Sequence, residues 1–177
     1  MLCPVTVTLR RKFSVLAAMM AMLPGCLVGT TRTPRAAVPR DRVNPASSGD
    51  TLAGLIDAHN RERAQRGLPA LTPDPRLEAA ARRHAADMAA RRKMSHTGSD
   101  RTSPFQRMKD EGYSYRRAAE NIAAGAFSLE TLMTGWMNSP GHRRNILGPY
   151  TQVGASFANG EGDTAYWCVT FGDPIRP

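Results

Sequence analysis

Residues 152–171 read QVGASFANGEGDTAYWCVTF, and the architecture of the domain can be predicted from their pattern. Apolar residues alternate with polar or small ones over 152–157, and a second alternating run covers 166–171. The turn residues Asn159-Gly160-Glu161-Gly162 separate the two runs, which is the pattern of a β-hairpin. Successive side chains of a strand point to opposite faces, and here both faces carry apolar groups. Other elements must therefore cover each side of the sheet.

Two long helices are predicted upstream of the hairpin. Apolar residues recur at helical spacing over Thr51–Arg66, and Gly67 then ends the helix. Asp74 is a favourable N-cap for the next helix, with Pro75 at its first position. The apolar stripe of that second helix includes His84. We expect His84 to be a hydrogen-bonded core residue and not a ligand.

Two shorter helices and a third strand complete the predicted elements. Serine residues open the helices predicted over 103–109 and 128–139, the second of which carries Trp136 and ends at Pro140-Gly141. The segment Glu120–Ala124 could add a strand to the hairpin. Helices that flank a small, mainly antiparallel sheet predict an α/β fold, a three-layer α/β/α sandwich.

The first 25 residues have the pattern of a secretory signal. Arg10-Arg11-Lys12 precede an apolar run over Phe13–Leu23, which is too short for the ~20 residues that cross a bilayer. The run ends in Leu23-Pro24-Gly25-Cys26, which resembles the lipobox of bacterial lipoproteins. In that class the cysteine becomes the first mature residue and carries the lipid. The alternative is ordinary cleavage nearby without lipidation.

Residues 26–50 are rich in Pro, Arg, Ser and Thr without an apolar period, so we predict a flexible tether before a domain over 51–177. If Cys26 is acylated, the lipid anchors the protein in the membrane of the cell envelope. Leu27 is not Asp, which in Gram-negative lipoproteins that resemble this one favours the outer membrane.

Charge and cysteine content restrict the partners and the cross-links. The formal net charge is +9, but three of the cations lie in the predicted signal. The remaining positive balance suits anionic surfaces such as lipid head groups or cell-wall polymers, or it belongs to Arg-rich helix faces that are simply solvated. Nucleic acid would suit the charge as well, but an exported protein does not meet it. Cys168 is the one cysteine of the predicted domain, so no disulfide forms within that domain, and we expect a small buried side chain.

Three polar residues lie where predicted loops meet predicted elements. They are His96, Glu120 and His142, which are far apart in sequence and can meet only through the fold. Two imidazoles and a carboxylate can bind zinc with an open position for water. An imidazole can instead act as a general base whose tautomer the carboxylate fixes. In a third interpretation the three side chains merely bind loop backbone, and the spacing does not decide among these alternatives.

The sequence resembles the CAP superfamily, the group of cysteine-rich secretory, antigen 5 and pathogenesis-related 1 proteins, in its bacterial SCP-like form. Ordered motifs carry the resemblance over nearly all of residues 52–172. They are His59-Asn60-x-x-Arg63, Met94-Ser95-His96, Ala119-Glu120-Asn121-Ile122-Ala123, Trp136-Met137-x-Ser139-Pro140-Gly141-His142-Arg143-x-Asn145-Ile146-Leu147, Val153-Gly154 and Tyr166-Trp167-x-x-x-x-Phe171-Gly172.

The resemblance implies an α/β/α sandwich, secretion, and a central cleft lined by a tetrad of two His and two Glu. His96, Glu120 and His142 match three tetrad positions, and the fourth falls on Ser139 instead of Glu. A serine brings no second negative charge, which weakens the affinity for a divalent metal. Any zinc or other divalent ion would bind through His96 and His142, with Glu120 as a further candidate. Asn60 and Asn121 match positions near the cleft, or bind loop backbone.

Two interpretations of function remain. In the first, the cleft is a non-catalytic binding site for a lipid, a cell-envelope polymer or another extracytoplasmic ligand, since similar proteins are associated with sterols, fatty acids and envelope or host interaction. In the second, the protein is a His/Glu or metal-dependent hydrolase of a peptide or cell-wall substrate. We favour the first, because the fourth carboxylate is missing and a fold alone does not establish chemistry.

Overall fold

The structure, a computed structural model, describes residues 48–175. The predicted signal, Cys26 and most of the tether lie outside these residues and stay predictions. In chain order the elements are α1 (Ser48–Ala64), β1 (Thr72–Pro73), α2 (Pro75–Arg91), α3 (Pro104–Asp110), β2 (Tyr115–Gly125), α4 (Leu129–Asn138), α5 (Pro140–Ile146), β3 (Gln152–Asn159) and β4 (Ala165–Pro174). None of these helices is both long enough and apolar enough to cross a bilayer.

The sheet has four strands in the order β1-β3-β4-β2. Strands β3 and β4 form the predicted antiparallel hairpin, and β2 pairs antiparallel with the other side of β4. The third strand is therefore present, but it runs over eleven residues, Tyr115–Gly125, and not only over Glu120–Ala124. The two-residue strand β1 pairs parallel with β3 and is too short to leave a period in the sequence.

Each face of the sheet is covered, as the hairpin pattern predicts. Trp167, Val169 and Phe171 face a core formed with α1, α4 and α5. Tyr166 and Cys168 lie on the opposite face and pack against α2. Cys168 is fully buried, as expected for a small apolar side chain. The three-layer α/β/α sandwich is confirmed.

The predicted helix starts are correct because the side chains named as caps bind the first free N–H groups. The Asp74 carboxylate accepts hydrogen bonds from the backbone N–H groups of Arg76 and Leu77. Ser103 and Ser128 each accept one from the backbone three residues later. These bonds satisfy donors that the helix itself leaves without a partner.

The helix that was predicted to end at Pro140-Gly141 does end there, at Asn138, but the sequence did not predict the further helix, α5, that begins at Pro140. Proline has no N–H to donate, and the first residue of a helix needs none, so the same residue can end α4 and begin α5. His142 consequently lies in a helix. Helix α1 begins at Ser48, three residues before the predicted start of the domain, and ends at Ala64.

The buried Arg63 holds the end of α5 in place. Its Nη1 donates to the backbone oxygens of Ile146 at 2.9 Å and Gly148 at 2.8 Å, and its Nη2 to that of Tyr150 at 3.2 Å. The Nε atom donates to the Pro69 oxygen at 2.9 Å. A guanidinium that is 1 % exposed thus binds four backbone oxygens, which fixes the turn after α5 against α1.

Gly154 gives a test of the packing between β3 and α2. A Cβ at Gly154 would overlap the backbone of Leu77 and Glu78, so α2 would have to move. We expect Gly154→Ala to lower the free energy of unfolding by at least about 2 kcal/mol, measured by urea unfolding. The matched control is Gly135→Ala in α4, where a Cβ meets nothing within 4 Å. That variant should be more stable by about 0.5–1 kcal/mol, and equal stability of the two variants would contradict the packing argument.

Candidate functional site

Glu120 lies on β2 with its carboxylate buried, the side chain being 2 % exposed. Its Oε1 accepts a hydrogen bond from Nδ1 of His96 at 2.8 Å, and its Oε2 accepts one from Nη2 of Arg107 at 2.8 Å. The Cys168 thiol donates to Oε2 at 3.4 Å. Nε2 of His84 lies 3.8 Å from Oε1. Both carboxylate oxygens are therefore engaged by side chains of the protein.

This environment keeps Glu120 ionised. Burial raises the pKa of the carboxyl, but the hydrogen bond from His96, the charge of Arg107 and the adjacent His84 ring together lower it by more, so the pKa lies below its ordinary value. Burial and the adjacent Glu120 raise the pKa of Cys168 well above its usual range. Cys168 hence stays a neutral thiol, and it serves as a donor to the carboxylate.

The bond to Glu120 determines the tautomer of His96. A carboxylate only accepts hydrogen bonds, so Nδ1 carries the proton, and in the neutral ring Nε2 holds the free electron pair. The side chain of His96 is 53 % exposed, and its Nε2 has no hydrogen-bond partner among the described residues. His96 therefore offers one ring nitrogen to a ligand while the other is held by the protein.

Arg107 of α3 fastens the loop that carries His96. Its guanidinium is 2 % exposed and donates from Nη2 to the backbone oxygen of His96 at 3.1 Å, as well as to Glu120. Its Nη1 donates to the backbone oxygen of Thr102 at 2.9 Å. Arg107 could not be recognised from the sequence, because an arginine on a short helix in an Arg-rich chain gives no signal of burial.

The expectation that His84 is a hydrogen-bonded core residue is confirmed, with one addition. The ring is fully buried, and Nε2 donates to the backbone oxygen of Ser95 at 2.8 Å. Burial is the largest of the causes that lower its pKa, so the ring is neutral at neutral pH. The addition is that His84 lies beside Glu120. Its place on the apolar stripe of α2 did not predict this contact.

Two asparagines place α5 against β2 next to Glu120. Asn121 Nδ2 donates to the backbone oxygen of His142 at 3.2 Å. Asn145 Nδ2 donates to Oδ1 of Asn121 at 2.8 Å and to the backbone oxygen of Glu120 at 3.3 Å. Asn121 therefore lies beside the site, as its match to the family predicts, and it positions the helix that carries His142.

The ring of His142 is half-buried against Trp136, with 6.2 Å between the ring centroids. Burial lowers the pKa of His142, and the interaction with His96 lowers it further. Its Nδ1 is buried and has no hydrogen-bond partner in the described part of the chain. Ser139 lies at the junction of α4 and α5, three residues before His142, and its hydroxyl does not cap α5.

His59 and Asn60 are structural. Asn60 donates from Nδ2 to the backbone oxygen of Leu71 at 3.1 Å and accepts from the backbone N–H of Leu71 at 2.8 Å, so it holds the loop before β1. His59 is fully buried and donates from Nδ1 to the Leu55 oxygen. Burial lowers its pKa to about 4, and the ring is therefore neutral.

The donors at the site limit how a metal could bind. Within residues 51–175 no group of three or more His, Cys, Asp or Glu side chains is arranged to hold a metal ion. Glu120 does not fit as a ligand, because its oxygens bind His96 and Arg107. The imidazoles of His96 and His142 remain as donors, which is fewer than the three protein ligands of a catalytic zinc site.

Replacing Arg107 tests the charge balance around Glu120. Since the pKa of Glu120 is lowered by folding, its contribution to stability is complete above pH 4.5 and is lost as the pH falls through the lower folded pKa. Arg107→Met should raise the pKa of Glu120, shown by carboxyl-carbon NMR titration, and cost about 3–5 kcal/mol at pH 7. Arg107→Lys, which retains the charge, should lose less. An unchanged Glu120 titration in Arg107→Met would contradict this account.

The comparisons with known proteins agree with this fold. The profile of the Cysteine-rich secretory protein family, CAP, matches residues 56–171. The uncharacterized protein YkwD of Bacillus subtilis is 39 % identical over 114 residues, which are 64 % of this chain and 44 % of YkwD. The uncharacterized membrane protein YlbC of the same organism is 31 % identical over 101 residues, 56 % of this chain and 29 % of YlbC. The chain thus spans less than half the length of these relatives.

Two solved structures show the same fold. An outer surface protein of Borrelia burgdorferi has a TM-score of 0.67 and 24 % identity, with 71 % of this chain and 94 % of that chain covered. An extracellular protein containing an SCP domain from Bacillus anthracis has a TM-score of 0.64 and 24 % identity, with 74 % and 44 % covered. On the match over residues 56–171, this chain belongs to the cysteine-rich secretory protein (CAP) family.

Proposed function

We propose that the domain is a non-catalytic binding module whose ligand contacts the imidazoles of His96 and His142. The observation that carries this proposal is the engagement of Glu120 by His96, Arg107 and Cys168. An efficient general base has a pKa near the working pH, whereas the pKa of Glu120 is lowered. Glu120 is better suited to orient His96 than to take a proton from a substrate.

The proposed ligand is a lipid or a cell-envelope polymer, met outside the cytoplasm. Two proteins similar in fold are named as an outer surface protein and as an extracellular protein, which supports the same location for this chain. The signal pattern before Cys26 supports export, and the lipobox-like run supports an acyl anchor at Cys26 in the cell envelope, in the outer membrane if the cell is Gram-negative.

A divalent metal, with zinc as the clearest candidate, would bind weakly at the same place. His96 offers Nε2, and His142 would supply the second imidazole. Bound zinc would act as a Lewis acid and a site for water or a ligand oxygen. Ser139 adds no negative charge beside the pair, and the charge of Glu120 is compensated by Arg107.

Zinc titration tests the imidazole pair. We expect calorimetry to detect weak binding, in the micromolar range or weaker, since two neutral ligands give less affinity than three or four. His96→Ala combined with His142→Ala should abolish the heat of binding. Met94→Ala is the matched control, because Met94 is 43 % exposed two residues before His96 and should leave the isotherm unchanged. Identical isotherms for the wild type and the double variant would refute the site.

The second candidate, a hydrolase of peptide or cell-wall substrate, has one observation in its favour. The 2.8 Å bond between Nδ1 of His96 and Glu120 is the arrangement in which a carboxylate orients a histidine base. In that case Nε2 of His96 would take a proton from water.

Turnover assays separate the two candidates. We expect peptidoglycan and a peptide library to remain uncleaved by the wild type above background, with and without added zinc. Turnover that disappears in Glu120→Ala and in His96→Ala, while circular dichroism shows both variants folded, would overturn the binding-module proposal. The His96 variant is the more reliable of the two, because an exposed ring can be removed without leaving an unpaired charge buried, so the protein should stay folded.

A further inference from the structure

A pocket of about 140 Å³ lies between α2, α3 and the loop of residues 98–102. Its walls include His84 and Arg107, the two buried side chains that lie beside Glu120 together with His96. His96 itself does not line the pocket, which is therefore separate from the exposed imidazole. One molecule of liquid water takes up roughly 30 Å³, so the pocket has room for a few.

His84 brings to this pocket a buried nitrogen with no hydrogen-bond partner. The ring is fully buried, and its Nε2 donates to the backbone oxygen of Ser95 at 2.8 Å. Since the ring is neutral, the other nitrogen, Nδ1, holds the free electron pair. No group in the described part of the chain donates to Nδ1. Nδ1 is thus a buried acceptor without a donor.

Arg107 brings the complementary group. Its Nη1 donates to the backbone oxygen of Thr102, and its Nη2 donates to Glu120 and to the backbone oxygen of His96. Its Nε, on a side chain that is 2 % exposed, has no acceptor among residues 51–175. A buried donor without an acceptor costs about 1–3 kcal/mol, so a partner for Nε would stabilise the fold.

The pocket does not suit an ion of either sign. Asp87 and Asp100 line it, so an anion would lie beside two carboxylates. Arg83 and Arg107 line it too, which disfavours a cation, and both carboxylates already accept hydrogen bonds from the protein. A lone acceptor and a lone donor are instead both satisfied by a neutral molecule whose oxygen donates and accepts, which is water.

We propose that this pocket holds a small cluster of bound water, in which one molecule accepts a hydrogen bond from Nε of Arg107 and donates one to Nδ1 of His84. That molecule completes the hydrogen bonds of two of the side chains around Glu120. It stabilises the orientation in which Arg107 reaches Glu120 and the tautomer in which His84 donates to Ser95. This site is independent of the function proposed for His96 and His142.

NMR spectroscopy of the Arg107 side chain tests the bridging water. The Nε–H signal of Arg107 is assigned by its loss in Arg107→Lys. We expect a nuclear Overhauser effect from water to this proton, with the sign that separates a bound water from hydrogen exchange. Nε–H of Arg63 is the matched control and should show none, because it is equally buried and donates to the Pro69 oxygen at 2.9 Å. The absence of the effect at Arg107 would overturn the proposal.

Gly98→Ala tests whether the water lies in this pocket. Gly98 is buried in the pocket wall, and a Cβ there would meet the side chains of Asp100 and Thr102 and lie 3.6 Å from Nη1 of Arg107. The added carbon takes up part of the volume, so the effect at Arg107 should fall by at least half. Gly135→Ala, where a Cβ meets nothing within 4 Å, should leave it unchanged. An undiminished effect in folded Gly98→Ala would overturn the assignment to this pocket.

Crystals of the wild-type protein identify the occupant without any substitution. We expect electron density for water within hydrogen-bonding distance of both Nε of Arg107 and Nδ1 of His84. After soaks in bromide or in manganese, anomalous difference maps should show neither ion in the pocket. Either ion at this position, or a pocket without ordered density beside the two nitrogens, would overturn the proposal.

Discussion

The buried ion pair between Glu120 and Arg107 is the interaction on which the site depends. Both side chains are 2 % exposed and lie 2.8 Å apart, so each would cost several kcal/mol to bury alone. The cost of burying the pair is offset because each of the two side chains forms further hydrogen bonds. Arg107 binds the backbone of the loop that carries His96, and Glu120 binds the His96 ring itself. Backbone and ring of His96 are thus fixed by one charge pair.

The second half of the site depends on amide side chains and not on charge. Asn121 follows Glu120 on β2, so a helix that is bound to Asn121 is placed beside the carboxylate. Asn145 supplies that bond from α5, and the backbone oxygen of His142 receives another. A buried amide side chain whose donor and acceptor groups are both hydrogen-bonded holds its neighbours in position without burying a charge. The loop before α3 and the helix after α4 can therefore meet at one strand.

Local sequence patterns were sufficient to predict the fold. The site, in contrast, is built by contacts between residues that are far apart in sequence. The hairpin, the two covered faces and the caps at Asp74, Ser103 and Ser128 follow from alternation and from single-residue chemistry. The start of α5 was missed because Pro140 has two local meanings, the end of one helix and the first residue of the next. Arg107 and His84 were missed because their partner, Glu120, is far away in sequence, so the residue types alone imply a solvated arginine and an ordinary core histidine.

Net charge does not locate the binding surfaces of this domain. Residues 48–175 carry 16 basic and 14 acidic side chains, so most of the +9 charge belongs to the segment before the domain. Attraction of the whole chain to anionic surfaces is thus a property of that segment. Binding of an anion by the domain must come from a local excess of positive charge, because exposed charges more than about 10 Å apart are screened at physiological salt. Arg143 and Arg144 are such an excess, since they line a groove between the end of α4 and the turn after α5 whose lining includes no acidic residue, whereas Glu120 is already neutralised by Arg107.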